Sequence, residues 1–192
     1  MVRSADTLSS RNRCHDVPQT LPPLHLRSPI GSGLFQSMPP GASYEVGFSP
    51  KGGSQDLILR SISSANSSIQ VAAYSFSSKP VATSLLEAHK RGVTVQVVAD
   101  EKSNSQSYSA TTFLANQGVP VRLNGKYSIM HHKFMVIDGL HVQTGSFNYS
   151  AAAASKNAEN VLVIWNAKPL ASRYALEWTR LWDESTPLEK SY

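Results

Sequence analysis

His131-His132-Lys133-Phe134-Met135-Val136-Ile137-Asp138, followed after six residues by Gly145-Ser146-Phe147-Asn148, reads as strand, turn and strand. The run from Ile129 to Ile137 is rich in β-branched and apolar residues, and Asp138-Gly139 is a hairpin signal. The expected strand covers 131–137, the turn 138–140 and the return strand 141–144. Side chains alternate along a strand, so His131 and Lys133 share one face and His132 takes the other. Ser146 and Asn148 are also two apart, and an extended segment sends both the same way. A hairpin therefore brings the two pairs together.

Each of these side chains has a chemical use. A neutral imidazole is a nucleophile near pH 7 and an imidazolium is an acid, so His131 suits both halves of a displacement at phosphorus. Lys133 supplies a fixed positive charge for phosphate oxygens. Ser146, Asn148 and nearby backbone N–H groups supply donors to charge developing at phosphorus. Glu159 precedes the apolar run Val161-Leu162-Val163-Ile164-Trp165. A carboxylate at the mouth of a buried strand can hold a histidine ring by its second nitrogen. The displacement also needs an acid on the leaving-group side, and the chain offers one motif histidine. A homodimer with the active site at the two-fold interface supplies the second.

The spacing His-x-Lys-(x)4-Asp-(x)6-Gly-Ser-x-Asn, at His131, Lys133, Asp138, Gly145, Ser146 and Asn148, resembles the HKD signature of the phospholipase D superfamily. Four flanking stretches extend the likeness. Val46-Gly47-Phe48-Ser49-Pro50, Ala73-Tyr74-Ser75-Phe76, Lys90-Arg91-Gly92-Val93 and Lys156-Asn157-Ala158-Glu159-Asn160 resemble the small single-motif bacterial endonucleases of that superfamily, the Nuc type. The resemblance covers roughly residues 44–192. It implies that His131 is the nucleophile in one subunit and the leaving-group acid in the other. It implies phosphate binding by Lys133, Ser146 and Asn148, and orientation of His131 by Glu159. Asp138 fits the motif, but strand parity puts it opposite Lys133, which suggests a supporting place in the turn network.

Outward from the motif, strands and helices alternate after Tyr44. Strands are expected at 44–48, 69–76, 93–100, 119–123 and 159–165. Ser54 is a candidate cap for a helix to about residue 65, and Pro80 suits the first turn of a helix ended by Gly92. A polar loop is expected over 100–108, helices over 109–116 and 151–154, and a terminal helix over 169–184. That last helix carries Leu170, Tyr174, Trp178, Leu181 and Trp182 on an apolar face. The alternation argues for an α/β fold, a mixed β-sheet flanked by helices on both faces, as in a phospholipase D-like sandwich.

Before Tyr44 the composition changes. Residues 1–43 hold Pro18, Pro22, Pro23, Pro29, Pro39 and Pro40 among Ser, Arg and Gly, and read as a disordered or loosely packed segment ahead of a catalytic domain at 44–192. They contribute +2 of the formal +5 net charge, so the excess on the folded part is mild and merely compatible with a polyanion. Cys14 is the single cysteine, which excludes an intrachain disulfide. No apolar run approaches the ~18 residues needed to cross a membrane. The Nuc-type resemblance implies a periplasmic or exported enzyme, yet the N-terminus lacks a recognisable signal peptide, which leaves the compartment open.

No cofactor and no metal are expected. No cluster of carboxylates suits Mg²⁺, and His131, His132 and His141 taken as a zinc set lack a cysteine or a His-x-x-His spacing. The leading expectation is a metal-independent, non-specific endonuclease acting on DNA, or also RNA, through a phosphohistidine in a homodimer. Lys51, Lys102, Arg122 and Lys126 are candidates to line its groove. The alternative is phospholipase D or phosphatidyl transfer on phospholipid headgroups, against which stands the lack of an interfacial helix with aromatic anchors. A catalytically silent nucleic-acid-binding module is a third reading, and the intact motif argues against it.

Overall fold

Strand pairing ties both halves of the chain into one sheet. The computed structural model describes residues 36–106 and 109–191. The expectation for the N-terminal segment, Cys14 included, therefore lies outside the described residues as far as residue 35. In chain order the elements are β1 (Ser43–Ser49), α1 (Ser54–Ser63), β2 (Ser68–Ala73), α2 (Lys79–Lys90), β3 (Thr94–Asp100), α3 (Glu101–Asn104) and α4 (Ala110–Asn116). They continue with β4 (Val121–Asn124), β5 (Lys133–Ile137), β6 (His141–Gly145), α5 (Ala151–Ser155), β7 (Glu159–Trp165), α6 (Lys168–Asp183) and β8 (Thr186–Pro187). The eight strands form one mixed sheet in the order β1-β7-β6-β5-β2-β3-β4-β8. β2, β3 and β4 run parallel, and the other neighbours are antiparallel.

Strand alternation sorts the core into two layers. Met135 and Ile137 join Val71, Val97, Val161 and Val163 under α1, α2 and α4, which supply Ile58, Ile62, Leu85 and Leu114. Phe134 and Val136 face the other way, with Ala72, Val98 and Val142, against Trp178 and Leu181 of α6. The Trp178 indole N–H donates to the Val71 carbonyl at 2.8 Å and fixes α6 on that face. Each such side chain contributes roughly 1.5–3 kcal/mol on burial, so both layers are needed to hold β5 in place. Among the described residues, no helix is long and apolar enough to cross a membrane.

Several boundaries differ from expectation. Ser54 does not cap α1: Gly53 stands at the cap with φ 76°, and the Ser54 hydroxyl pairs with that of Ser49 inside the fold. The loop expected at 100–108 contains α3, because the Asp100 carboxylate accepts from the Ser103 N–H at 2.9 Å and caps a single turn. The strand expected through Phe76 ends at Ala73, where Asn104 accepts from the Phe76 N–H and donates to the Tyr74 carbonyl. The motif strand starts at Lys133 rather than His131, since Met130 N–H is drawn to Asp100 at 2.9 Å instead of to a sheet partner. β8 was not foreseen; two residues after α6 carry too little periodicity to read.

Candidate active site

Register gathers the motif at one end of the sheet. Ala73 pairs with Lys133, Phe134 with Thr144, and Gly145 with Val161. The end of β2, the start of β5, the end of β6 and the start of β7 thus share one rim. A cleft of about 580 Å³ opens there, lined by His131, Lys133, Ser146, Asn148 and Glu159 among others. The structure therefore brings together five of the six candidate residues. Gly145 is required for this closure. It has φ 149°, and a Cβ there would lie 2.2 Å from the Asn160 carbonyl oxygen, so any side chain forces β6 and β7 apart.

Lys133 is only 8% exposed. Its Nζ donates to the His131 carbonyl at 2.8 Å and lies 5.0 Å from the Tyr74 ring centroid. Burial pushes its pKa below the ordinary lysine value, and the Glu159 charge opposes that shift. The His131 ring is exposed and packs on the same Tyr74 ring, with centroids 4.5 Å apart. One aromatic side chain therefore touches both motif groups. Ser146 Oγ donates to Glu159 Oε2 at 2.6 Å, and Asn157 donates to Glu159 Oε1 at 3.0 Å. Within one chain Glu159 consequently holds Ser146 rather than the His131 ring, in place of the orienting contact the resemblance implied. The Asn148 side-chain oxygen is buried and has no hydrogen-bond partner among the described residues, which leaves unspent capacity at the cleft.

Asp138 lies at the far end of β5, outside the cleft. Its carboxylate accepts from the backbone N–H groups of Asn66, Ser67 and Ser68 and from the Ser67 hydroxyl. This is a hairpin-to-β2 clamp of the kind strand parity suggested. Partial burial alone would raise its pKa, but the donors at Ser68, Asn66 and Ser67 outweigh that and hold it at about 2. A lowered carboxylate pKa stabilises the fold above the unfolded value and loses that stabilisation as pH falls through the folded one. Asp138→Asn is therefore expected to lower stability at pH 7 by about 1–2 kcal/mol after allowance for solvent screening. The deficit should shrink between about pH 5 and pH 2. Denaturant midpoints of both proteins across that range test this, and a deficit independent of pH would reject the clamp.

His141 also lies away from the cleft: its Nδ1 accepts from the Asn166 N–H at 2.9 Å and its ring packs against Trp165. It does not join His131 and His132, and among the described residues no three His, Cys, Asp or Glu side chains converge. The four proposed groove cations are not at the cleft either. Arg122 sits over the Trp182 ring, Lys126 pairs with Glu184 at 2.8 Å, and Lys102 reaches toward the Ser128 carbonyl. Lys51 stands exposed beside α1 with φ 66°.

Sequence reasoning missed the other wall. α6 contributes Arg173, Tyr174 and Glu177 to the cleft, and His132 joins them through a 3.3 Å contact with Glu177. The i, i+4 spacing of Arg173 and Glu177 was a readable signal, hidden beside the apolar stripe of the same helix. Asp100 and Asn104 were missed as well. They are buried and pin the Tyr74 and Met130 segments, which flank His131, by the bonds described above.

Residues 58–182 match the family model of the PLD-like domain described for cardiolipin synthase. The chain belongs to the phospholipase D superfamily. Among other superfamily members, a phospholipase D of Rickettsia bellii is 37% identical over 131 residues, covering 68% of this chain and 65% of that protein. The mitochondrial cardiolipin hydrolase of Xenopus tropicalis is also 37% identical over 131 residues, covering 68% and 60%. The chain thus spans less than two thirds of the length of these curated relatives. The crystal structure of the superfamily member Nuc from Salmonella typhimurium superimposes with TM-score 0.76 at 39% identity, covering 78% of this chain and 99% of Nuc. The mixed sheet with helices on both faces is the fold shared with that protein.

Proposed function

We propose that the domain at 44–192 is a metal-independent phosphodiesterase that works as a homodimer and hydrolyses DNA, and also RNA, with little sequence preference. The observation that carries this reading is the convergence of His131, Lys133, Ser146, Asn148 and Glu159 in one open cleft. The His131 ring nitrogen of one subunit attacks phosphorus. The P–O bond to the leaving oxygen breaks, and the His131 of the partner protonates that oxygen. A P–N bond now joins substrate to enzyme. The partner imidazole then takes a proton from water, the water oxygen attacks phosphorus, and the P–N bond breaks to release a phosphomonoester and free His131. Lys133 and Asn148 from both chains hold the non-bridging oxygens. Lys133 supplies the positive charge that a divalent ion supplies elsewhere. Ser146 donates a hydrogen bond to Glu159, is thereby fixed, and buttresses the Gly145 turn.

Nucleic acid is favoured by the likeness to Nuc, which covers nearly all of that chain, and by the open mouth of the cleft. The names of the Rickettsia and Xenopus relatives support the second reading, a phospholipid headgroup diester. Nicking of supercoiled plasmid in excess EDTA, beside headgroup release from phosphatidylcholine and cardiolipin vesicles, separates them. Nicking is expected to persist in EDTA without lipid turnover. Activity abolished by EDTA and restored by one particular divalent ion would reject the mechanism, and headgroup release without nicking would reject the substrate.

A further inference from the structure

Resting on that nuclease reading, we propose that Arg173, on the α6 wall, is a second phosphate-binding position. It holds a neighbouring phosphate of the same nucleic acid strand while the scissile one lies against His131 and Lys133. The cleft of about 580 Å³ exceeds the needs of one phosphodiester group and falls in the size range of pockets that hold whole ligands. Arg173 is exposed, lines that cleft, and takes part in no ion pair or side-chain hydrogen bond among the described residues.

The other charges of the same wall are already paired. Glu177 accepts from Arg180 Nε at 2.9 Å and Nη2 at 2.5 Å, and lies 3.3 Å from His132 Nε2. Arg180 also contacts Glu184 at 2.9 Å. The acid nearest Arg173 on the wall is thus offset, and its charge does not cancel that of Arg173. A guanidinium presents paired N–H donors that match two phosphate oxygens at once. Tyr174, half-buried and edge-on to Phe134 at 5.0 Å, gives a base or sugar between the two phosphates an apolar surface to rest on. A polynucleotide offers a second phosphate one sugar away from the first. A headgroup lipid with a single phosphate offers Arg173 nothing.

The test compares the wild-type protein with Arg173→Gln and Arg60→Gln. Arg60 pairs with Glu45 outside the cleft, so its variant removes the same charge without touching the wall. Two substrates are used: a single-stranded oligodeoxynucleotide, and bis(p-nitrophenyl) phosphate, which has one phosphate. In Arg173→Gln the ratio of kcat/KM on the oligonucleotide to that on the small diester should fall about tenfold, chiefly through KM. The plot of log kcat/KM on the oligonucleotide against log salt should flatten by about 0.7, the contribution of one phosphate contact on a single strand. Arg60→Gln should show neither change. An unaltered ratio and slope, or equal effects in the two variants, would overturn the assignment. A wild type that cleaves the small diester and never the oligonucleotide would instead overturn the nuclease reading itself.

Discussion

His131→Ala should lower turnover in EDTA by at least about 10⁴-fold, because on the proposed mechanism one substitution removes the nucleophile from one chain and the acid from the other. The fold should survive. The His131 ring is exposed and its main packing partner is Tyr74, so the stability change should stay near the ±0.5 kcal/mol of an ordinary surface site. A phosphate-labelled intermediate trapped by acid quench should disappear from the variant. Subunit mixing then tests whether the site is shared. If wild type and variant exchange freely in equal amounts, about one quarter of the dimers carry two His131 residues and about one half carry one. Activity near one quarter of the wild-type value fits a site that needs both imidazoles. Activity near one half would mean that each chain works alone, which would sink the shared site. His132 is the natural suspect in that event, since it lines the same cleft. Its contact with Glu177 argues that it is tied to the α6 wall instead.

The fold was legible where periodicity was strong. β7 matches its expected span at both ends, and the Asp138-Gly139 hairpin lies where its turn residues put it. Both are cases in which local chemistry and tertiary pairing agree. The misreadings share another cause. Ser54 pairs with Ser49 across a turn, and Asn104 pairs with the Tyr74 and Phe76 backbone some thirty residues back; neither pairing shows in the periodicity of the chain. Asp100 is the clearest example: the same carboxylate caps α3 and anchors Met130, thirty residues on. The motif residues were legible because their spacing is a strand-and-turn spacing. Arg173 was not, because it reaches the cleft from a helix whose placement depends on Trp178 and Leu181 packing across the sheet.

Lys133→Met should make the protein more stable and nearly inactive. The stability gain follows from burial. A cation 8% exposed, with one backbone carbonyl, one aromatic ring and the opposing Glu159 charge for company, recovers only part of the hydration it gave up, since the net shift is still downward. Replacing such a group by an apolar one of similar length is commonly neutral or favourable by about 1–4 kcal/mol. A gain of about 1–2 kcal/mol, or a few degrees in Tm, is expected at pH 7. The sign of the pH dependence follows from the lowered pKa. Above that pKa the folded chain sheds a proton that the unfolded chain still binds, so wild-type stability rises with pH toward the ordinary lysine value. The advantage of Lys133→Met should therefore narrow from neutral to alkaline pH. On the proposed mechanism turnover should fall at least about 10³-fold near neutral pH, because the positive charge facing the non-bridging oxygens is lost. A protein keeps a destabilising cation where the reaction requires it. If Lys133→Met is less stable than wild type at pH 7, then Lys133 is part of the scaffold rather than the phosphate site.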